Sequence, residues 1–170
     1  MLFRSLGQSI LAAGLWMAPG GLMMLFFAPV SSGLMKGLGP KATLMIGAAV
    51  LGAGYLVALV MMDAPWQLLV ASCVASAGVG IGYAAMPTLI LDSVPPHEAG
   101  SAVGVNGLMR STGTTLAAAV MATLLTSSTV DLGGFAVPSE SAFRWCFVVG
   151  AVAAFVGVAI AAFVPTVRRR

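Results

Sequence analysis

Charged residues divide the chain into long uncharged runs. Between Arg4 and Lys36 lie 31 uncharged residues, between Lys41 and Asp63 lie 21, and between Asp63 and Asp92 lie 28. Eleven separate Glu98 from Arg110, 20 separate Arg110 from Asp131, and 23 separate Arg144 from Arg168. A helix crossing the ~30 Å hydrocarbon layer needs about 20 apolar residues. The runs are therefore span-sized, and the polar clusters between them are loop-sized. The pattern predicts five helical spans, about Leu11–Val30, Ala42–Met62, Leu68–Ile90, Gly100–Leu125 and Phe143–Val164. Their apolar residues are contiguous, whereas a barrel strand alternates over about 10 residues. Helix is then the structure that satisfies every backbone polar group in lipid. A buried soluble bundle would need a polar face on each helix, and these runs have almost none.

Composition sharpens this reading. Of 170 residues, 59% are hydrophobic and 8% charged, with a mean hydropathy of +1.04. A soluble domain carries roughly 25% charged residues. High hydrophobicity excludes a disordered chain, and two cysteines cannot form a disulfide scaffold. Cys73 and Cys146 both fall inside spans and read as small apolar packing residues. The net charge of +3 owes much to Arg168, Arg169 and Arg170. That is too local for a nucleic-acid surface, which spreads basic residues over a face.

Orientation follows from the basic residues. Five spans place Lys36, Lys41 and Arg168–Arg170 on one side and Arg4 and Arg144 on the other. The expected location is the cell membrane, multi-pass, with the C-terminus cytoplasmic; 63–67 and 126–140 would be the extracytoplasmic connections. The first apolar run outlasts the 7–15 residues of a signal peptide's core, so it is expected to stay as a helix.

Gly78, Gly80 and Gly82 invite comparison with a dinucleotide-binding loop, but Tyr83 follows, the third glycine of GxGxxG is missing, and no strand precedes. Gly78 and Gly82 instead share one helix face and allow close approach of a neighbour. Gly100 and Gly104 repeat the spacing in the next span. Pro19 and Pro87 lie inside spans and are expected to kink them. Pro95-Pro96 ends the third span and restarts the chain, with Glu98 in the opening turn of the fourth. His97 is the single histidine, and it reads as a solvated loop residue.

Arg110 is the most informative residue. Ten residues past Gly100, at 1.5 Å each, put it roughly 15 Å deep. Snorkelling works only near helix ends, so the guanidinium should face protein or a water-filled cavity. Asn106, Arg110, Gly113 and Ala117 share one face, small and polar, while Leu108 and Leu116 point elsewhere. This face reads either as a substrate-path or gating surface, or as an arginine held by carbonyl groups of a neighbouring helix. With one histidine and five scattered acids, the sequence carries no nucleophile–base pair, metal cluster or phosphate loop. It implies no enzyme, cofactor or metal.

The motifs, taken in order, resemble a transporter family. Ala13-Gly14-Leu15-Trp16-Met17-Ala18-Pro19 with Ala28-Pro29, then Gly33–Lys41, look like a helix and the short cytoplasmic loop in the C-terminal half of major facilitator superfamily members. Gly78-x-Gly80-x-Gly82 with Met86-Pro87, Val94–Ala102, and Asn106-x-x-x-Arg110-x-x-Gly113 complete the pattern. Together they most resemble the fourteen-helix drug:proton antiporter branch, the EmrB/QacA type, over nearly the whole chain. Lys36 stands where that loop usually carries an aspartate. The resemblance implies an all-α, polytopic membrane fold of about five helices from a C-terminal half, in a single membrane domain over 1–170. It implies multidrug efflux by alternating access, with the lipid bilayer and a small amphipathic substrate as partners. A complementary N-terminal half, which holds most of the family's coupling residues, or self-association would complete it. The alternative is a truncated or split structural remnant that does not transport alone.

Overall fold

The computed structural model describes residues 10–62, 64–132 and 135–164. It is helical apart from one ribbon: α1 (Ile10–Val60), α2 (Pro65–Leu91), a 3-10 turn (Pro96–Glu98), α3 (Ala99–Ser127), β1 (Thr129–Leu132), β2 (Phe135–Pro138) and α4 (Glu140–Phe163). Among the described residues, Ala18–Val60, Trp66–Leu91, Pro96–Ser127 and Glu140–Phe163 are long and apolar enough to cross a membrane.

The first of these stretches has 43 residues, about twice what one crossing needs. Within α1, Gly39 alone departs from helical angles, at φ 83° and ψ 163°. Side chains rarely tolerate that backbone conformation, which glycine adopts freely. Pro40 follows, suited to the first position of a new helix because its missing N–H would have been unsatisfied there anyway. The contacts show that the chain turns back here. Residues 10–38 run parallel to α2: Gly20 lies against Ser72 and Ser76, Met24 against Gly80, and Ser31 Oγ donates to the Ile81 carbonyl at 2.9 Å. Residues 40–60 run antiparallel to it, with Leu44 and Gly47 against Gly82, Gly47 and Leu51 against Gly78, and Gly54 against Ala75. α1 is thus two antiparallel arms, and the described residues make five helical passes.

Two expectations change. The loop placed at 31–41 shrinks to the reversal at Gly39, because 31–38 stay helical and Gly39 is the residue of α1 with non-helical angles. The connection at 126–140, read as loop, contains an antiparallel ribbon pairing Thr129 with Pro138 and Val130 with Val137. Pro19 and Pro87 lie inside continuous helices, where a proline removes one ladder bond. Arg4, Asp63 and Arg168 to Arg170, on which part of the expected orientation and loops rests, lie outside the described residues.

Helix packing rests on small side chains. The buried positions include Ala58, Ala71, Ala77, Ala85, Ala142, Ala151, Ala154 and Ala161. Lipid tails are as apolar as leucine, so membrane helices associate through close backbone approach rather than hydrophobic expulsion. The tightest crossing is Gly47 against Gly78 and Gly82. A Cβ at Gly47 would sit 2.6 Å from the Gly82 nitrogen, and one at Gly78 would sit 2.6 Å from the Gly47 carbonyl oxygen. α4 packs antiparallel to the second arm, with Gly150 against the Tyr55 ring and Gly52 against Phe155.

The ends of the helices are tied chemically. Lys41 Nζ donates to the carbonyls of Ala162 (2.8 Å) and Val164 (2.6 Å). These belong to the C-terminal end of α4, where orphan carbonyls and the helix dipole favour a cation. At the opposite end, Ser139 caps α4 by accepting from the Ala142 N–H, and its hydroxyl meets Ser128 Oγ at 2.7 Å. Arg144 and Glu140 form an i,i+4 pair at 2.9 Å on the same end.

Candidate functional site

α3 differs from every other helix: none of its residues is buried. Its sequence explains why it can be so exposed and still helical. It is the least apolar of the candidate spans, and Thr114, Thr115, Thr123 and Thr126 each return their hydroxyls to the carbonyl four residues earlier. That bond satisfies the hydroxyl without needing a neighbour.

Arg110 sits on this helix, exposed, with its guanidinium carbon 5.3 Å from the centroid of the Tyr83 ring. A cation at that distance from a ring is drawn by the negative charge of the π face. Tyr83 lies eight residues before the end of α2 and Arg110 eleven residues into α3. At 1.5 Å per residue both lie about 12–16 Å from the same end of the bundle. The pair is therefore deep in the span and joins α2 to α3 there. No carboxylate pairs with Arg110 among the described residues.

The surroundings are open. Asn106 is half-buried, and Gly107 and Gly113 flank Arg110 at i−3 and i+3. Nothing lies within 4 Å of where a side chain on Gly107 or Gly113 would begin. The same holds for Gly100 and Gly104, whose expected helix partner is not found within the described chain. Gly78 and Gly82, by contrast, face the second arm of α1. In the sequence Tyr83 is only an aromatic inside an apolar run, with nothing there to mark it as a partner of Arg110.

A second feature was also not foreseen. A cavity of about 490 Å³ opens between the second arm of α1, α2 and α4, lined by Tyr55, Ala58, Leu68, Val79, Phe143 and Phe147 among others. Ser72, Ser76 and Tyr55 supply its few polar atoms. Among the described residues, no group of three or more His, Cys, Asp or Glu is placed to hold a metal ion.

Apolar helices packed through glycine and alanine, beside one uncovered helix with a charge at mid-span, make an all-α polytopic membrane fold. The family model of the Major Facilitator Superfamily matches residues 1–170, and the chain belongs to that family. It is similar to an uncharacterized MFS-type transporter, YfiU, of Bacillus subtilis (strain 168), at 27% identity over 128 residues, which are 75% of this chain and 25% of that protein. Its fold matches the inward-open conformation of the xylose transporter XylE from E. coli, with a TM-score of 0.71 at 16% identity, covering 89% of this chain and 37% of that one. The chain thus spans about a quarter of the curated relative and somewhat over a third of the solved structure.

Proposed function

We propose that this chain forms part of a transmembrane transporter that moves a small amphipathic molecule by alternating access, with Arg110, Asn106 and Gly113 on the substrate path or gating surface. The observation that carries the reading is Arg110 itself. A guanidinium deep in a span costs at least ~2.5–3.5 kcal/mol on insertion scales, and one contact to a half-exposed ring does not offset that. Its cost is met only if its face borders water, substrate or another protein surface. The sequence motifs support the drug:proton antiporter branch with its multidrug efflux in the cell membrane, and the basic residues, Lys36, Lys41 and Arg168–Arg170 against Arg4 and Arg144, support a cytoplasmic C-terminus. The uncovered face of α3 also favours a second reading, in which the chain inserts but transports only when a complementary half or another copy lies against it.

The test measures transport and membrane abundance together in cells producing the full-length protein. Arg110→Ala should lower efflux about tenfold while the protein still reaches the membrane. Arg110→Lys should recover part of it, since an ammonium lacks the planar fork of donors. Loss of abundance in proportion to activity would reduce Arg110 to a structural role. Sidedness is tested by cysteine labelling: Leu38→Cys, beside the Gly39 reversal, should label from the cytoplasm, and Val130→Cys, in the ribbon, from outside. Labelling of both from one side would overturn the five-pass topology.

A further inference from the structure

The charges of this chain are segregated by depth. Asp92 caps the end of α2, Glu98 lies in the 3-10 turn, Asp131 in β1, and Glu140 opens α4. Lys36 and Lys41 flank the reversal at Gly39, and Arg144 lies in the first turns of α4. Among the described residues, Arg110 is then the one charged side chain at mid-span, and it is positive. Its neighbours supply shape rather than compensation. Tyr83 offers an aromatic face on one side, Asn106 an amide one turn away, and Gly107 and Gly113, one turn to either side, have no atom within 4 Å of where a side chain would begin.

We infer that the Arg110–Tyr83 pair is a recognition site for an anionic aromatic amphiphile, a carboxylate or sulfonate joined to a flat apolar body, and that it disfavours organic cations. The inference rests on the reading of Arg110 as a substrate-path residue and adds the sign of the charge. A guanidinium presents its donors in a fork that matches a planar anion. Low surrounding dielectric strengthens that pairing and equally strengthens repulsion of a cation. The Tyr83 ring, already within reach of the guanidinium, supplies a stacking surface for the flat body of the ligand. Asn106 can donate or accept through its amide, so it orients the ligand without changing the sign preference.

The experiment uses the full-length protein in lipid nanodiscs and three dyes: anilinonaphthalene sulfonate, the matched uncharged N-phenylnaphthylamine, and ethidium as the cation. Equilibrium dialysis against empty nanodiscs removes the lipid background. The sulfonate should bind saturably, and Arg110→Ala should weaken it about tenfold or more, as loss of a charged hydrogen bond does. Arg110→Lys should keep part of the affinity. N-phenylnaphthylamine should change less than about twofold in Arg110→Ala, while ethidium should bind that variant more tightly than the wild type. Tyr83→Leu, which keeps the charge, should weaken both naphthalene dyes by removing the stacking face. Equal weakening of all three dyes by Arg110→Ala would overturn the charge preference and leave Arg110 on the path. No change for any dye would overturn the path reading as well. Variants enter the comparison when they elute as monodisperse protein, and if Arg110→Ala does not, Arg110→Lys and Tyr83→Leu carry the test.

Discussion

The two arms of α1 with α2, and α3 beside them, are built from the same kinds of residue and behave oppositely. In the first region the glycines at the helix crossings meet backbone: Gly47, Gly54, Gly78 and Gly80 each leave under 3 Å for a Cβ, while Gly21, Gly33 and Gly37 lie off those crossings in open space. In α3, Gly100, Gly104, Gly107 and Gly113 face open space. Spacing alone does not separate them, since Gly78/Gly82 and Gly100/Gly104 are both four apart. What separates them is company. α2 carries alanines and an isoleucine that bury around its glycines, so the neighbouring arm can close upon it. α3 surrounds its glycines with Ser111, Thr114, Thr115, Asn106 and Arg110. Small residues among apolar ones make a seam; small residues among polar ones leave a surface.

The sharpest break of this contrast is Gly78→Leu. Its side chain would enter the Gly47 and Leu51 backbone, which cannot swing aside as a side chain can. Overpacking of this kind typically costs 1–3 kcal/mol, and a clash with backbone belongs at about 3 kcal/mol or beyond. We expect a marked fall in the thermal unfolding midpoint of the detergent-purified protein. A midpoint within error of wild type would mean that the second arm and α2 are not in contact at this crossing.

Much of this architecture was legible in advance, and the failures have physical causes. The all-α membrane fold was legible from the long uncharged runs, because a charge in hydrocarbon is costly wherever it falls; the helix Ala99–Ser127 is the exception, since it carries Arg110. The reversal at Gly39 was placed several residues too wide. Gly33, Ser31 and Ser32 look like loop residues by composition, yet Ser31 buries its hydroxyl on the Ile81 carbonyl and stays helical. The ribbon was missed although Gly133-Gly134 between Thr129–Leu132 and Phe135–Pro138 carries a hairpin signature. Four-residue strands are too short to stand out beside span-length apolar runs. At the site, Arg110 announced itself by depth, but Tyr83 could not, since only the packing of α2 on α3 brings it to 5.3 Å.

A smaller effect tests how the ends hold the packed region together. Lys41 ties the start of the second arm to the carbonyls of Ala162 and Val164. Lys41→Met keeps the apolar stem and removes both bonds along with the charge at the helix end. The loss should be about 1 kcal/mol, within the range for charge–dipole and charged hydrogen bonds that solvent partly screens. Lys41→Arg should restore most of it. The same unfolding midpoint reads both variants, and an unchanged Lys41→Met would mean that α4 ends without help from the second arm.

The smallest expected effect carries the sign that decides the comparison. At Gly104, nothing within 4 Å would meet an added methyl group, and the backbone is ordinary helix. Replacing glycine by alanine inside a helix gains about 0.5–1 kcal/mol, because glycine loses more backbone freedom on folding. Gly104→Ala should therefore raise the midpoint slightly, whereas Gly47→Ala, with 2.6 Å to the Gly82 nitrogen, should lower it. The two changes are chemically identical, so helix propensity enters equally and their difference isolates the contact. A fall at Gly104 in the full-length protein would mean that another helix lies against α3 on that face.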